Sequence, residues 1–131
     1  RTSRPQDGSD GERDDSNDSG SRMCVLDRQG SLEVPVEVSQ SGSLLSWEFQ
    51  SEEDKDVGFG VYYHCVTLPG QSPKELLKPS RVVSRGTPET GVLTCSQPGV
   101  YVLKFDNSFS WFTQKKVSYS VRVTPPTECV A

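Results

Sequence analysis

The chain has 131 residues, a formal net charge of −4 and 32% hydrophobic residues. That length suits one domain of ordinary size. Fourteen Lys and Arg against eighteen Asp and Glu exclude the basic footprint of non-specific nucleic-acid binding, and no apolar run reaches the roughly 18 residues of a membrane-spanning helix.

Residues 1–23 hold no aromatic or aliphatic side chain before Met23, and 13 of the 23 are Asp, Gly or Ser. Such a segment cannot bury enough apolar surface to offset about 1–2 kcal/mol of backbone entropy per ordered residue. It is expected to be a disordered, acidic linker. The opening Arg1 in place of Met points to a fragment or a processed chain, and no signal or transit segment is read. The folded part is expected over 24–127, with 128–131 as a tail.

Ser31–Val38 alternates strictly. Leu32, Val34, Val36 and Val38 share one face, and Glu33, Pro35 and Glu37 the other. This is a half-buried strand, and Pro35 places it at a sheet edge. A turn over Ser39–Ser43 leads to a second strand with Leu45, Trp47 and Phe49 on one side. Val57–Val66 is a third, with Phe59, Val61, Tyr63 and Cys65 facing together. Gly58 and Gly60 lie on its other face, marking a bulge or the close approach of another backbone. Leu68–Pro79 reads as a Pro-punctuated loop with at most one helical turn at Lys74–Leu77. Arg81–Ser84 and Gly91–Cys95 read as shorter strands. Val100–Phe105 is apolar on nearly both faces and is expected to be central. Val117, Tyr119, Val121 and Val123 alternate in the last strand.

Seven or eight short strands without an amphipathic helix predict an all-β, jelly-roll-like antiparallel sandwich. The expected inward set is Leu45, Trp47, Phe49, Phe59, Val61, Tyr63, Leu93, Tyr101, Leu103, Phe105, Val117, Tyr119 and Val121. Cys24, Cys65, Cys95 and Cys129 show no C-x-x-C pair, which argues against a zinc site. They read as reduced thiols, with Cys65 and Cys95 as small buried hydrophobes; a disulfide between those two is the alternative for a lumenal domain.

Three stretches carry a resemblance. They are Leu45–Phe49 followed by Asp56–Val61; Gly91–Leu103; and Phe105-Asp106-Asn107-Ser108-Phe109-Ser110 with Lys115-Lys116-Val117. In this order they resemble the GOLD (Golgi dynamics) domain, most of all that of supernatant protein factor-type lipid-transfer proteins and of cytosolic Golgi and autophagy adaptors. The resemblance covers most of 43–123. It implies a β-sandwich that binds proteins, no catalysis and no cofactor. It also implies a cytoplasmic location peripheral to Golgi or vesicle membranes, with a protein partner there and weak membrane-surface contact at most.

The candidate partner-binding residues are Asp106, Asn107, Phe109, Trp111, Phe112, Lys115 and Lys116. Asp106 and Asn107 read first as turn residues, Phe109 as a plug at one end of the sandwich. Trp111 and Phe112 are consecutive and cannot both face inward on a strand, so at least one is expected at the surface. Lys104, Lys115 and Lys116, with Arg122, read as a solvated charged edge or a basic patch. A lipid-headgroup- or carbohydrate-binding sandwich is the alternative, using exposed Tyr62 or Trp111. His64, the lone histidine, points away from its neighbour Cys65 on a strand, so the pair offers no catalytic dyad.

Overall fold

The computed structural model describes residues 20–52, 55–65, 70–83 and 85–126. The segment expected to be disordered (apart from its last four residues), Val66, Ser84, Cys129 and the C-terminal tail lie outside them. Eight strands follow in order: β1 Arg22–Leu26, β2 Ser31–Val38, β3 Ser43–Ser51, β4 Asp56–His64, β5 Lys74–Val83, β6 Glu89–Cys95, β7 Gly99–Asp106 and β8 Lys115–Thr124. They form two antiparallel four-stranded sheets in the orders β1-β8-β3-β6 and β2-β7-β4-β5. This is the expected β-sandwich. β2, with Pro35, lies at an edge, and β7 lies between β2 and β4.

Two elements differ from the sequence reading. Lys74–Val83 is one ten-residue edge strand, not a loop with a helical turn followed by a separate short strand. Pro79 disguises it, because an edge strand tolerates a missing N–H on its solvent side. Its pairing with β4 shifts register around Val61. Gly60 permits this: a Cβ there would stand 3.3 Å from the Leu77 carbonyl and 3.2 Å from the Pro79 ring. The second difference is β1, whose five residues give too short an alternation to read.

The inward faces meet in one core. Phe49, Phe59 and Phe105 contact one another with ring centroids 4.6–5.2 Å apart. Leu45, Val57, Val61, Leu103 and Val117 are fully buried around them. Each such side chain contributes about 1.5–3 kcal/mol. Trp47 is half-buried and lays its indole over Gly91, where any side chain would collide with the ring.

β7 has differently built ends. At its start the Tyr63 and Tyr101 hydroxyls donate to the carbonyls of Pro98 and Gln97, both at 2.6 Å. These bonds tie the β6–β7 turn to β4 and β7. Cys24 and Cys95 are free thiols whose pKa values burial pushes up. The loop carrying the candidate site leaves the other end of β7.

Candidate functional site: the loop between β7 and β8

Residues 107–114 connect β7 to β8, and Asn107 organises them. It is completely buried. Its N–H donates to the Gly30 carbonyl at 2.8 Å, and its carbonyl accepts from the Ser110 N–H at 3.1 Å. Its Nδ2 donates to the carbonyls of Asp27 (3.0 Å) and Thr113 (2.9 Å). Its Oδ1 accepts from the Lys115 ammonium at 2.9 Å. One amide side chain thus holds the β1–β2 turn, the loop and the start of β8 together. Satisfying all these groups is what makes a buried amide tolerable.

The rest of the loop closes on itself. The Ser110 hydroxyl donates to the Thr113 carbonyl at 3.0 Å and accepts from the Thr113 N–H at 3.3 Å. Gln29, in a left-handed turn conformation (φ 61°), donates its N–H to the Ser110 carbonyl at 3.0 Å. Asp106 accepts from the Ser108 N–H (3.0 Å) and hydroxyl (2.9 Å), the Asx turn expected of it.

Lys115 corrects the sequence reading most sharply. It is 3% exposed, neither a solvated edge cation nor part of a surface patch. Its Nζ donates to the Asp56 carbonyl at 2.7 Å and lies 3.4 Å from the Asp56 carboxylate. Arg81 reaches the same carboxylate at 2.9 Å from the solvent side. Burial pushes the Asp56 pKa up, but hydrogen bonds and charge from Arg81 and Lys115 outweigh it, and the carboxyl rests below its usual value. The Phe109 ring is half-buried between two cations. The Arg81 guanidinium lies 3.8 Å from its centroid and the Lys115 ammonium 4.8 Å. Both distances suit cation–π attraction.

The four cations weighed as a patch are dispersed. Lys104 lies on the outer face of the β2-β7-β4-β5 sheet, in register with Glu33. Lys116 and Arg122 lie on the outer face of the other sheet, and the Lys116 N–H donates to Glu52 at 3.3 Å. Tyr62 is half-buried on its sheet, beside a Val102 that is only 8% exposed. His64 is exposed at the end of β4.

The loop places its two remaining aromatics in solvent. Trp111 is 66% exposed and Phe112 is 89% exposed. Of the seven candidate residues, Asn107 and Lys115 lie beneath the loop, Asp106 and Phe109 brace it, and Trp111, Phe112 and Lys116 reach its surface. Asp56, Arg81 and Asp27 escaped sequence reasoning. They lie 25–80 residues from their partners, and nothing local marks them.

No family model matches the chain. Human FYVE and coiled-coil domain-containing protein 1 is 35% identical over 108 residues, covering 82% of this chain and 7% of that protein. The human Golgi resident protein GCP60 is 26% identical over 135 residues, covering 78% of this chain and 25% of that protein. The chain therefore corresponds to a quarter or less of either relative. Among solved structures, the Yersinia pseudotuberculosis-derived mitogen superposes with a TM-score of 0.56 at 12% identity, covering 88% of this chain and 93% of that one. At that identity the likeness concerns the fold alone.

Proposed function

Much of this chain is a GOLD-like domain, and from that premise we propose that it acts as a non-catalytic docking module of a membrane-traffic protein. It would engage a protein partner at Golgi or vesicle membranes through the loop between β7 and β8. The names of two relatives, a Golgi resident protein and a FYVE and coiled-coil domain protein, support the setting. The observation that carries the reading is the pair Trp111 and Phe112, exposed on a loop whose base is pinned by a buried amide. Exposed aromatics on a preorganised support bind with little ordering cost, and Trp is enriched among the residues that dominate interface energies.

The test replaces both rings by Ala. Purified Golgi and vesicle membranes are extracted, and proteins retained by the wild-type chain are compared with those retained by Trp111→Ala/Phe112→Ala. Specific partners should be lost by about tenfold or more, while unfolding free energy changes by no more than about 0.5 kcal/mol. An unchanged set of retained proteins overturns the reading. So does equal flotation of both forms with protein-free vesicles plus retention of no protein.

A further inference from the structure

A sandwich of two open sheets has four edges, each a template for a foreign strand unless something blocks it. Three edges here are blocked. β2 carries Pro35 at its middle with Glu33 and Glu37 on either side. β5 carries Pro79, Lys74 and Lys78, and its pairing with β4 is broken by register shifts. β1 is five residues long. β6 lacks a Pro, a Lys or Arg and any register break, and its one charge, Glu89, stands at its first residue and not along the strand. Its seven residues pair with β3 in unbroken register from Glu89 to Cys95, and β3 is β6's only hydrogen-bonded strand neighbour among the described residues. Thr90, Val92 and Thr94 suit an extended chain, and Val92 is 63% exposed on the outer face.

A cleft of about 240 Å3 opens beside this edge, between β6 and β5. Tyr63, Leu76, Leu93 and Tyr101 supply its apolar and aromatic lining. Among the described residues Lys74 is its one charged lining residue, and no acidic side chain lines it.

We propose that the free edge of β6 accepts an extended peptide of a partner protein as a fifth strand of its sheet. The peptide would be neutral or acidic. Its main chain would bond to β6, one apolar side chain would enter the cleft beside Leu93, and its neighbours would lie next to Val92 on the outer face. Main-chain bonds supply affinity in this mode, and alternate side chains supply specificity. The missing protection on one edge, next to a cleft suited to a single side chain, favours this occupant. A second copy of the chain fits less well: pairing two β6 edges would bring the two β5 edges, with Lys74 and Lys78 on each, toward one another. The inference shares with the proposed function the premise that the domain docks proteins, but it uses a different surface from the Trp111–Phe112 loop.

The test selects a random dodecapeptide phage library on the full 131-residue chain. Affinities of synthetic peptides are then read by fluorescence anisotropy. Amide exchange should slow across Glu89–Cys95 when the selected peptide binds. N-methylating alternate amides of the peptide should weaken binding by about tenfold or more in one phase and leave it within about twofold in the other, since every second amide of an added strand faces the edge. The protein is unchanged in that comparison, so misfolding cannot mimic the result. Trp111→Ala/Phe112→Ala should bind the same peptide with unchanged affinity, which separates the two surfaces. Failure to select any peptide overturns the proposal. So do protection confined to 107–114, equal losses in both methylation phases, and self-association that protects Glu89–Cys95 without peptide.

Discussion

Replacing Lys115 by Met tests whether the buried ammonium holds the loop in place. Met keeps most of the aliphatic stem and removes the charge. Two short bonds disappear, to the Asp56 carbonyl at 2.7 Å and to Asn107 Oδ1 at 2.9 Å. Hydrogen bonds to charged groups contribute about 1.5–3 kcal/mol each, and a buried acceptor left without a donor costs about 1–3 kcal/mol. The Asp56 carboxylate loses a cation as well, but its side chain is 26% exposed and keeps Arg81. The expected loss therefore lies near the lower end of the roughly 3–5 kcal/mol for breaking a buried ion pair. About 3 kcal/mol corresponds to a fall in thermal midpoint of roughly 10–20 °C for a domain of this size. Urea unfolding at neutral pH, followed by tryptophan fluorescence, measures it. Lys116→Met serves as the control and should change stability by less than about 0.5 kcal/mol, because that side chain is exposed. A loss below about 1 kcal/mol for Lys115→Met, or equal losses for the two variants, refutes the assignment.

Asp56 gives the acid limb of stability a predictable sign. Its folded pKa is lowered, so its contribution is complete above the unfolded value of about 3.9 and is lost as pH falls through the folded value. Asp56→Asn should lower stability at neutral pH and flatten its decline below about pH 4. An acid limb as steep as that of the wild type would contradict this. Gly91→Ala should cost about 1–3 kcal/mol by overpacking, because the new methyl would occupy the place of the Trp47 indole. Denaturant unfolding reads the loss and near-ultraviolet circular dichroism reads the displaced ring; an unchanged spectrum and midpoint would show that the contact is not tight.

Most of the sandwich was legible because period-two alternation is a local signal. Leu32 to Val38, Leu45 to Phe49 and Val117 to Val123 each declare an inward face within a few residues. Pro35 and the two-sided apolar stretch of β7 even declared positions within the sheet. β5 was illegible because its irregular pairing scrambles the alternation and its Pro mimics a loop breaker. Adjacency declared that at least one of Trp111 and Phe112 reaches the surface; that both do was not legible, because they lie on a loop and not on a strand. The foundation of the site was not legible either. Burial of Lys115 depends on a carbonyl and a carboxylate 59 residues away and on an amide 8 residues away. A lysine next to another lysine at the start of a strand looks like a solvated edge until those partners are placed around it. A double charge reversal at Lys115 and Lys116, which reads from sequence as a surface change, is for this reason a change beneath the loop.

The two ends of β7 illustrate why the polar residues gather where they do. At the Tyr63–Tyr101 end, phenol hydroxyls fasten a tight turn and the rings continue the core, so no large aromatic ring stands out in solvent. At the Asn107 end the core stops at Phe105, and the chain must cross from one sheet to the other over eight residues. A loop of that length held by apolar packing would need Trp111 and Phe112 turned inward. Here Asn107, Lys115 and Ser110 satisfy the backbone instead, and the two rings remain outside. The polar network thus substitutes for the aromatic contribution to loop order. That substitution predicts a division of labour: changes at Asn107 or Lys115 should alter stability and docking together, whereas changes at Trp111 or Phe112 should alter docking alone.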